Sequence, residues 1–262
     1  MQASAVDPSR RPVVVMTAGG LNPTLVVQHL VKDGFDVHVL LENPEGKGEI
    51  TRRRAKKLGW INAFGQLGTM MAARLLRHLA DRRVSELLTR HGLDRKLPDT
   101  VPIHPVTSIN APETTALVEE IKPGAILLVS TRLMSARQLA AMPCPVINLH
   151  AGINPNYRGQ MGGYWSLREN VGQNFGATLH LVDAGTDTGG TLYDVRTRPE
   201  RADFISTYPL LLTIAALDIT CRSLKDALSD RLAPKTPQGP SELRFPPTLW
   251  SWIWCGLTRR IW

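Results

Sequence analysis

Two stretches of the 262-residue chain carry side chains able to move protons and to hold a developing negative charge. Asn148 and His150 stand in Val146-Ile147-Asn148-Leu149-His150, and Asp187 stands in Gly185-Thr186-Asp187-Thr188-Gly189-Gly190. Side chains alternate along a strand, so Asn148 and His150 share one face while Ile147 and Leu149 share the other. An amide donor beside a titratable imidazole suits a reaction that develops an oxyanion and transfers a proton. Taken alone, Asn-x-His is more often a buried pair that satisfies nearby backbone groups, and Asp-Thr-Gly-Gly is more often a plain turn between strands. Aspartic-protease chemistry is rejected, because that mechanism needs a second catalytic aspartate on a β fold and this chain has one Asp-Thr-Gly on an α/β pattern. No G-x-S-x-G elbow occurs, which disfavours a serine hydrolase of that kind.

The elements that must position these residues follow from periodicity. Pro12 to Met16 is a continuous apolar run, as in a strand covered on both faces. Gly19-Gly20 follows, then Asn22-Pro23 as a helix N-cap with proline at the first helical position. Asp36 to Leu41 is a second strand, Glu42 to Lys57 a polar insert, and Ile61 to His91 a helical stretch. Further strands are expected at Val101 to Ile103, Ala125 to Val129 and Val146 to His150, with helices at Pro112 to Ile121 and Ser135 to Ala141. Phe175 to Val182 and Thr191 to Val195 read as two strands joined by the loop Asp183 to Gly190. Asp203 to Leu228 reads as helical. The expected fold is α/β, an open, mostly parallel Rossmann-like sheet whose ligand lies at the carboxyl ends of the strands. Residues 1–200 form the expected catalytic domain, and 201–262 a helical C-terminal extension ending in a tryptophan-rich tail.

Composition bounds the rest. With 43% hydrophobic and 21% charged residues, disorder and low complexity are excluded. The net charge of +8 favours a partner that carries phosphate, whether nucleotide, nucleic acid or anionic membrane. The basic run Arg52 to Lys57 reads first as a solvated helix face and second as a diphosphate contact. Three scattered cysteines, with no C-x-x-C, suit a reducing compartment and disfavour a zinc site; no metal is expected. The N-terminal apolar stretch is too short for a signal sequence, and no run is long enough to span a membrane. A cytoplasmic protein is expected.

Ile147 to Gly159, with Asn148-x-His150 and Pro155-Asn156-Tyr157-Arg158-Gly159, together with Gly176-x-Thr178-x-His180 and Asp183 to Gly190, resembles the 10-formyltetrahydrofolate-dependent formyltransferase family. That family includes sugar N-formyltransferases, glycinamide ribonucleotide formyltransferase and the catalytic domain of methionyl-tRNA formyltransferase. The resemblance covers about residues 125–195. It implies that Asn148, His150 and Asp187 are catalytic, with 10-formyltetrahydrofolate as co-substrate. It further implies that Arg132, Leu133, Met134, Asp183 and Gly185 border the folate, although core packing explains Met134 equally well. Thr178 and His180 would support the aspartate loop, and the loop through Tyr157, Arg158 and Gly159 would border the acceptor.

The extra C-terminal segment and the Gly162-Gly163-Tyr164-Trp165 sequence resemble formyltransferases of amino-sugar and surface-polysaccharide synthesis. A nucleotide-linked amino sugar is therefore the expected acceptor. A purine-pathway or tRNA-linked amine, a 10-formyltetrahydrofolate hydrolase and a non-catalytic binding module are the alternatives, and nucleic acid is disfavoured. In the tail, Trp250, Ile253, Trp254, Leu257 and Ile261 recur at helical spacing beside Arg259 and Arg260. Docking on the chain's own core or on a second copy, as a homodimer, is the first reading of residues 248–262. Peripheral contact with the inner face of a membrane is the second.

Overall fold

The computed structural model describes residues 11–262; the first ten residues of the expected catalytic domain lie outside the described residues. The chain runs β1 (Val13–Thr17), α1 (Leu21–Lys32), β2 (Val37–Glu42), α2 (Lys47–Leu58), α3 (Trp60–Leu75), α4 (Arg77–His91), β3 (Ile103–Val106), α5 (Pro112–Ile121), β4 (Ala125–Leu128), α6 (Ala136–Ala140) and β5 (Val146–His150). It continues through β6 (Arg158–Gly159), α7 (Gly162–Arg168), β7 (Gly176–Leu181), β8 (Thr191–Arg196), α8 (Tyr208–Ala215), α9 (Leu217–Leu228), β9 (Leu243–Arg244) and α10 (Leu249–Arg259).

Seven strands form one sheet in the order β3-β2-β1-β4-β5-β7-β8. The first five are parallel, and β7 runs against both its neighbours. The fold is thus the expected mostly parallel α/β sheet. Strands β1 and β4 are wholly buried because helices cover both faces, which is why their sequences are unbroken apolar runs. One face packs Val13, Val15, Leu127 and Ile147 with Leu212, Leu217 and Leu224 of α8 and α9. The other packs Val14, Met16, Ile126 and Leu128 with Val118 of α5. The core therefore runs without a break across residue 200.

Several boundaries move. Helix α1 starts earlier than expected, with Gly20 rather than Asn22 at the N-cap. Pro23 falls inside the first turn, where its missing N–H needs no partner. The expected polar insert is largely helix α2. The long stretch at 61–91 breaks at Leu76 into α3 and α4, and 203–228 resolves into α8 and α9, with Ile205 to Thr207 forming a turn. The expected strand at 101–103 begins at Ile103.

Helix α10 docks on the chain's own core through Trp252 and Cys255. It leans on α3 at Gly65, where a Cβ would come within 2.4 Å of the Trp250 ring, so only glycine fits. Ile253, Trp254 and Leu257 point outward instead, Trp250 stays half exposed over Gly65, and Trp60, Ile61, Phe64, Met71 and Leu75 of α3 are exposed as well. Among the described residues no helix is long and apolar enough to cross a membrane.

Candidate active site

The carboxyl end of β5 delivers Asn148 and His150 to a cavity of about 490 Å³, and the β7–β8 loop brings Asp187 to the same place. Strand pairing fixes the approach. Asn148 lies opposite His180 and His150 opposite Thr178 in the antiparallel β5–β7 ladder. Cross-strand neighbours in such a ladder sit close enough for side chains to touch, so the parity that puts Asn148 and His150 on one face also adds His180.

Asp187 is the hub. Its Oδ2 accepts the Gly159 N–H at 2.8 Å and lies 3.5 Å from His150 Nδ1. Its Oδ1 accepts the Asn148 amide at 3.1 Å and lies 3.4 Å from His180 Nε2. Burial works against the charged carboxylate, but the charge of His150, the His180 hydrogen bond and the Gly159 N–H outweigh it and hold the pKa at about 2. Gly159 itself is at φ 90°, and a Cβ there would lie 2.4 Å from the Arg244 carbonyl oxygen. A glycine is required for the chain to pass between Asp187 and β9.

The imidazole of His150 is 6% exposed, and both its nitrogens face oxygen. Nε2 donates to the Tyr157 carbonyl at 2.7 Å, and Nδ1 faces Asp187. The Nδ1 separation is longer than an ordinary hydrogen bond, so that side of the ring is the one open to a bound molecule. His180 differs. Its Nδ1 donates to the Leu181 carbonyl at 2.8 Å, and its Nε2 lies 3.1 Å from Asn148 Nδ2 and 3.4 Å from Asp187 Oδ1, accepting from the amide when the ring is neutral and donating to the carboxylate when both nitrogens carry a proton. With the ring neutral, both N–H groups of the Asn148 amide are engaged, one by Asp187 and one by His180.

The remaining sequence-predicted residues divide. Arg132, Leu133, Met134, Asp183 and Gly185 all line the cavity. Arg132 is tied to Glu42, through Nε at 2.5 Å and its backbone N–H at 2.9 Å. Leu133 stands exposed at the lip, while Met134 is mostly buried in the core behind it. Asp183 accepts from the Gly185 N–H and the Thr188 hydroxyl, so it shapes its own loop. Thr178 is fully buried and clamps the turn after β5, donating to the Gly152 carbonyl and accepting from the Asn154 N–H. Tyr157 contributes its carbonyl, not its ring; burial first and Glu169 second push its phenol up to about 12. Arg158 donates to the Thr186 carbonyl at 2.8 Å and braces the aspartate loop.

Sequence reasoning had the basic run of one wall only as a second reading, a diphosphate contact, and missed the rest of that wall. Ile50, Arg53, Arg54 and Lys57, at helical spacing on α2, face the cavity, and Leu243, Arg244 and Phe245 close it. The short strand β9 arrives by pairing with β6, Arg158 opposite Leu243 and Gly159 opposite Arg244. The basic run is therefore split: Arg52 and Lys56 face solvent, while Arg53, Arg54 and Lys57 face the cavity. Its helical spacing was the one available signal.

Residues 72–203 match the formyl transferase family. Methionyl-tRNA formyltransferase of Trichlorobacter lovleyi is 25% identical over 167 residues, 63% of this chain and 50% of that protein. The same enzyme of Desulforamulus reducens is 26% identical over 150 residues, 57% of this chain and 47% of that protein. The chain spans about half the length of the curated relatives it matches. A sugar N-formyltransferase from Shewanella sp superposes with a TM-score of 0.56 at 11% identity, over 89% of this chain and 76% of that one. Glycinamide ribonucleotide transformylase 1 from Symbiobacterium toebii does so with a TM-score of 0.56 at 14% identity, over 87% and 92%. At such identities these two structures show a shared fold.

Proposed function

The chain belongs to the formyl transferase family, and on that premise we propose that it moves a formyl group from 10-formyltetrahydrofolate to the amine of a nucleotide-linked amino sugar. The observation that carries this reading is the convergence of Asn148, His150 and Asp187 on one cavity. The cavity suits the donor: an exposed leucine, Leu133, beside Leu128, Met134 and Val182 offers an apolar wall for a flat ring. Arg132, Leu133, Met134, Asp183 and Gly185 would hold the donor. Residues 11–200 supply the three reactive side chains, and the segment after 200 supplies Leu243 to Phe245 to the wall.

In the reaction the acceptor nitrogen bonds to the formyl carbon, and the bond from that carbon to the donor nitrogen breaks. One proton leaves the amine and one reaches the released nitrogen, so the exchange balances. The oxyanion formed on the way needs donors. Asn148 can turn one N–H from His180 to that oxygen while keeping its bond to Asp187, and the Nδ1 side of His150, 3.5 Å from Asp187 and not hydrogen-bonded to it, can supply a second donor. Asp187, held near 2, stays ionised at neutral pH and presents its negative charge to His150 Nδ1. The sugar acceptor is favoured over tRNA or a purine precursor by the tail after β8, while the cationic α2 wall suits the phosphate that each of these acceptors carries. The neighbour described as a sugar N-formyltransferase supports the same reading. The test is release of tetrahydrofolate from 10-formyltetrahydrofolate across a panel of amino-sugar nucleotides. Turnover that depends on the sugar supports the reading. Turnover with water alone makes the protein a hydrolase, turnover only with a purine or tRNA amine overturns the sugar, and none at all leaves a binding module.

The tail bears on where this happens. Helices α3 and α10 contain no carboxylate, and their charged residues are Arg74 and Arg259, with Arg260 following. The tryptophan- and arginine-bearing apolar face they share suits an anionic bilayer surface on the cytoplasmic side. Two copies meeting through it would set these arginines toward one another without acidic partners. Sedimentation with vesicles rich in phosphatidylglycerol, lost in Trp254→Glu and absent with phosphatidylcholine alone, is the expected result. A protein that ignores both vesicles, or self-associates through this face, overturns it.

A further inference from the structure

The cations around the cavity are not equivalent. Arg53 is paired with Glu45 at 2.9 Å, Arg132 with Glu42 at 2.5 Å, and Arg244 with Glu169 at 2.5 Å. Arg54 has no such partner. Its side chain is almost wholly buried, 7% of the residue being exposed, yet it lines the cavity. One arm donates to Gln160 Oε1 at 2.8 Å and the other lies 3.2 Å from Met70 Sδ. These contacts satisfy hydrogens but supply no negative charge. Among the described residues no carboxylate pairs with Arg54, and the charge that acts on it is the like charge of Arg53. One turn further along the same helix face, Lys57 lies over the Phe245 ring at 5.3 Å, also without an acidic partner among the described residues.

A buried guanidinium without an anion is costly, because desolvation is not repaid by a counter-charge. Burial accordingly pushes Arg54 below the usual arginine range. Such a residue is expected where a ligand brings the missing charge. Planar N–H donors suit a phosphoryl group, and a second cation at i+3 suits one with more than a single negative charge.

We propose that Arg54, assisted by Lys57 and held by Gln160, is the binding site for the phosphoryl oxygens of the acceptor. The proposal rests on the reading of the acceptor as nucleotide-linked and places its diphosphate against the α2 wall. Gln160 follows Gly159, the residue whose N–H anchors Asp187, so the chain that orients the catalytic carboxylate also orients the anion site. The carboxylate tail of the folate is the rival source of charge. It is disfavoured because Arg54 stands on the α2–β6 wall and not on the segment after β4 that borders the donor.

The test is calorimetric titration of inorganic pyrophosphate, and separately of tetrahydrofolate, into the full chain, Arg54→Met, Lys57→Ala and the solvent-facing control Arg52→Ala. Pyrophosphate should bind the wild type and Arg52→Ala alike, roughly 10- to 100-fold more weakly in Arg54→Met, and several-fold more weakly in Lys57→Ala, as expected for loss of charge-assisted hydrogen bonds. Tetrahydrofolate affinity should not change. In the absence of anion Arg54→Met should melt at the same temperature as the wild type or higher, whereas a merely structural arginine would lower it. If Arg54→Met does not fold, the structural role is the correct one. Pyrophosphate that fails to bind the wild type, or binds Arg54→Met equally well, overturns the proposal. Weakened tetrahydrofolate in place of pyrophosphate assigns Arg54 to the donor. None of these outcomes depends on formyl transfer, so a missing anion site and a wrong reaction are told apart.

Discussion

Two buried ionic clusters in this chain share their materials and differ in how they are closed. In one, Arg83 grips Asp203 through Nε at 2.9 Å and Nη2 at 3.0 Å, and Glu86 and Glu200 take its third nitrogen. Arg90 completes the pairing from outside, and Thr207 and the Glu200 N–H fill the oxygens of Asp203. Each charge there meets its opposite inside the protein. In the other cluster, Asp187 faces two imidazoles and an amide, and the same residues line the cavity. The first cluster holds α4 to the turn before α8. The second stores polar capacity that a bound molecule can use. Burial and charge do not mark a site by themselves; the opening toward a cavity does.

The widest separation between the two clusters should appear in activity. His150→Ala is expected to lower formyl-transfer turnover by about 10²- to 10⁴-fold, the range for a lost acid–base or oxyanion-stabilising group. The fold should be retained, as read by circular dichroism. Asp203→Ala should do the reverse. It removes the buried partner of Arg83, 4% exposed on its side chain, leaving only the half-exposed Glu86 and Glu200, and should cost about 3 kcal/mol of unfolding free energy in urea. Turnover per folded molecule should stay near the wild-type value. An active His150→Ala, or an Asp203→Ala that is fully stable yet inactive, would reverse the two assignments.

The clusters also differ in how legible they were. Asn148, His150 and Asp187 could be read because strand parity and four linked motifs agree, and the ladder pairing of β5 with β7 then brings the stretches together. The buried apolar strands were legible for the same reason: a sheet covered on both faces leaves a continuous apolar run. Arg83 and Asp203, 120 residues apart, share no pattern. Arg54 was hidden differently. Helix phase is read from apolar residues, and α2 is Lys-Gly-Glu-Ile-Thr-Arg-Arg-Arg-Ala-Lys-Lys-Leu, too polar to show which cations turn inward. Helix α10 fails in the opposite way. It is apolar on more than one side, so the stripe with the clearest period is the exposed one, while Trp252 and Cys255 make the contact with the core. Leu243 to Phe245 reach the cavity through a two-residue strand, too short for any period.

The smallest effect concerns acid stability, and its sign can be worked out. Asp187 titrates at about 2 in the folded chain against an ordinary value of 3.8. Between those values the unfolded chain binds the extra proton, so stability rises with pH across that window. The contribution is fully present above about pH 4 and is lost as pH falls through about 2. A shift of that size corresponds to roughly 2 kcal/mol. Other carboxylates held low by cations, among them Asp33 and Glu45, add their own acid sensitivity, and these shares are common to the wild type and to Asp187→Asn. Subtracting the two denaturation series at pH 4 and pH 2 therefore isolates Asp187. The wild type should lose about 2 kcal/mol more than the variant over that interval. Parallel losses would mean that His150, His180 and the Gly159 N–H do not hold the carboxylate ionised, and the hub of the candidate site would lose its electrostatic basis.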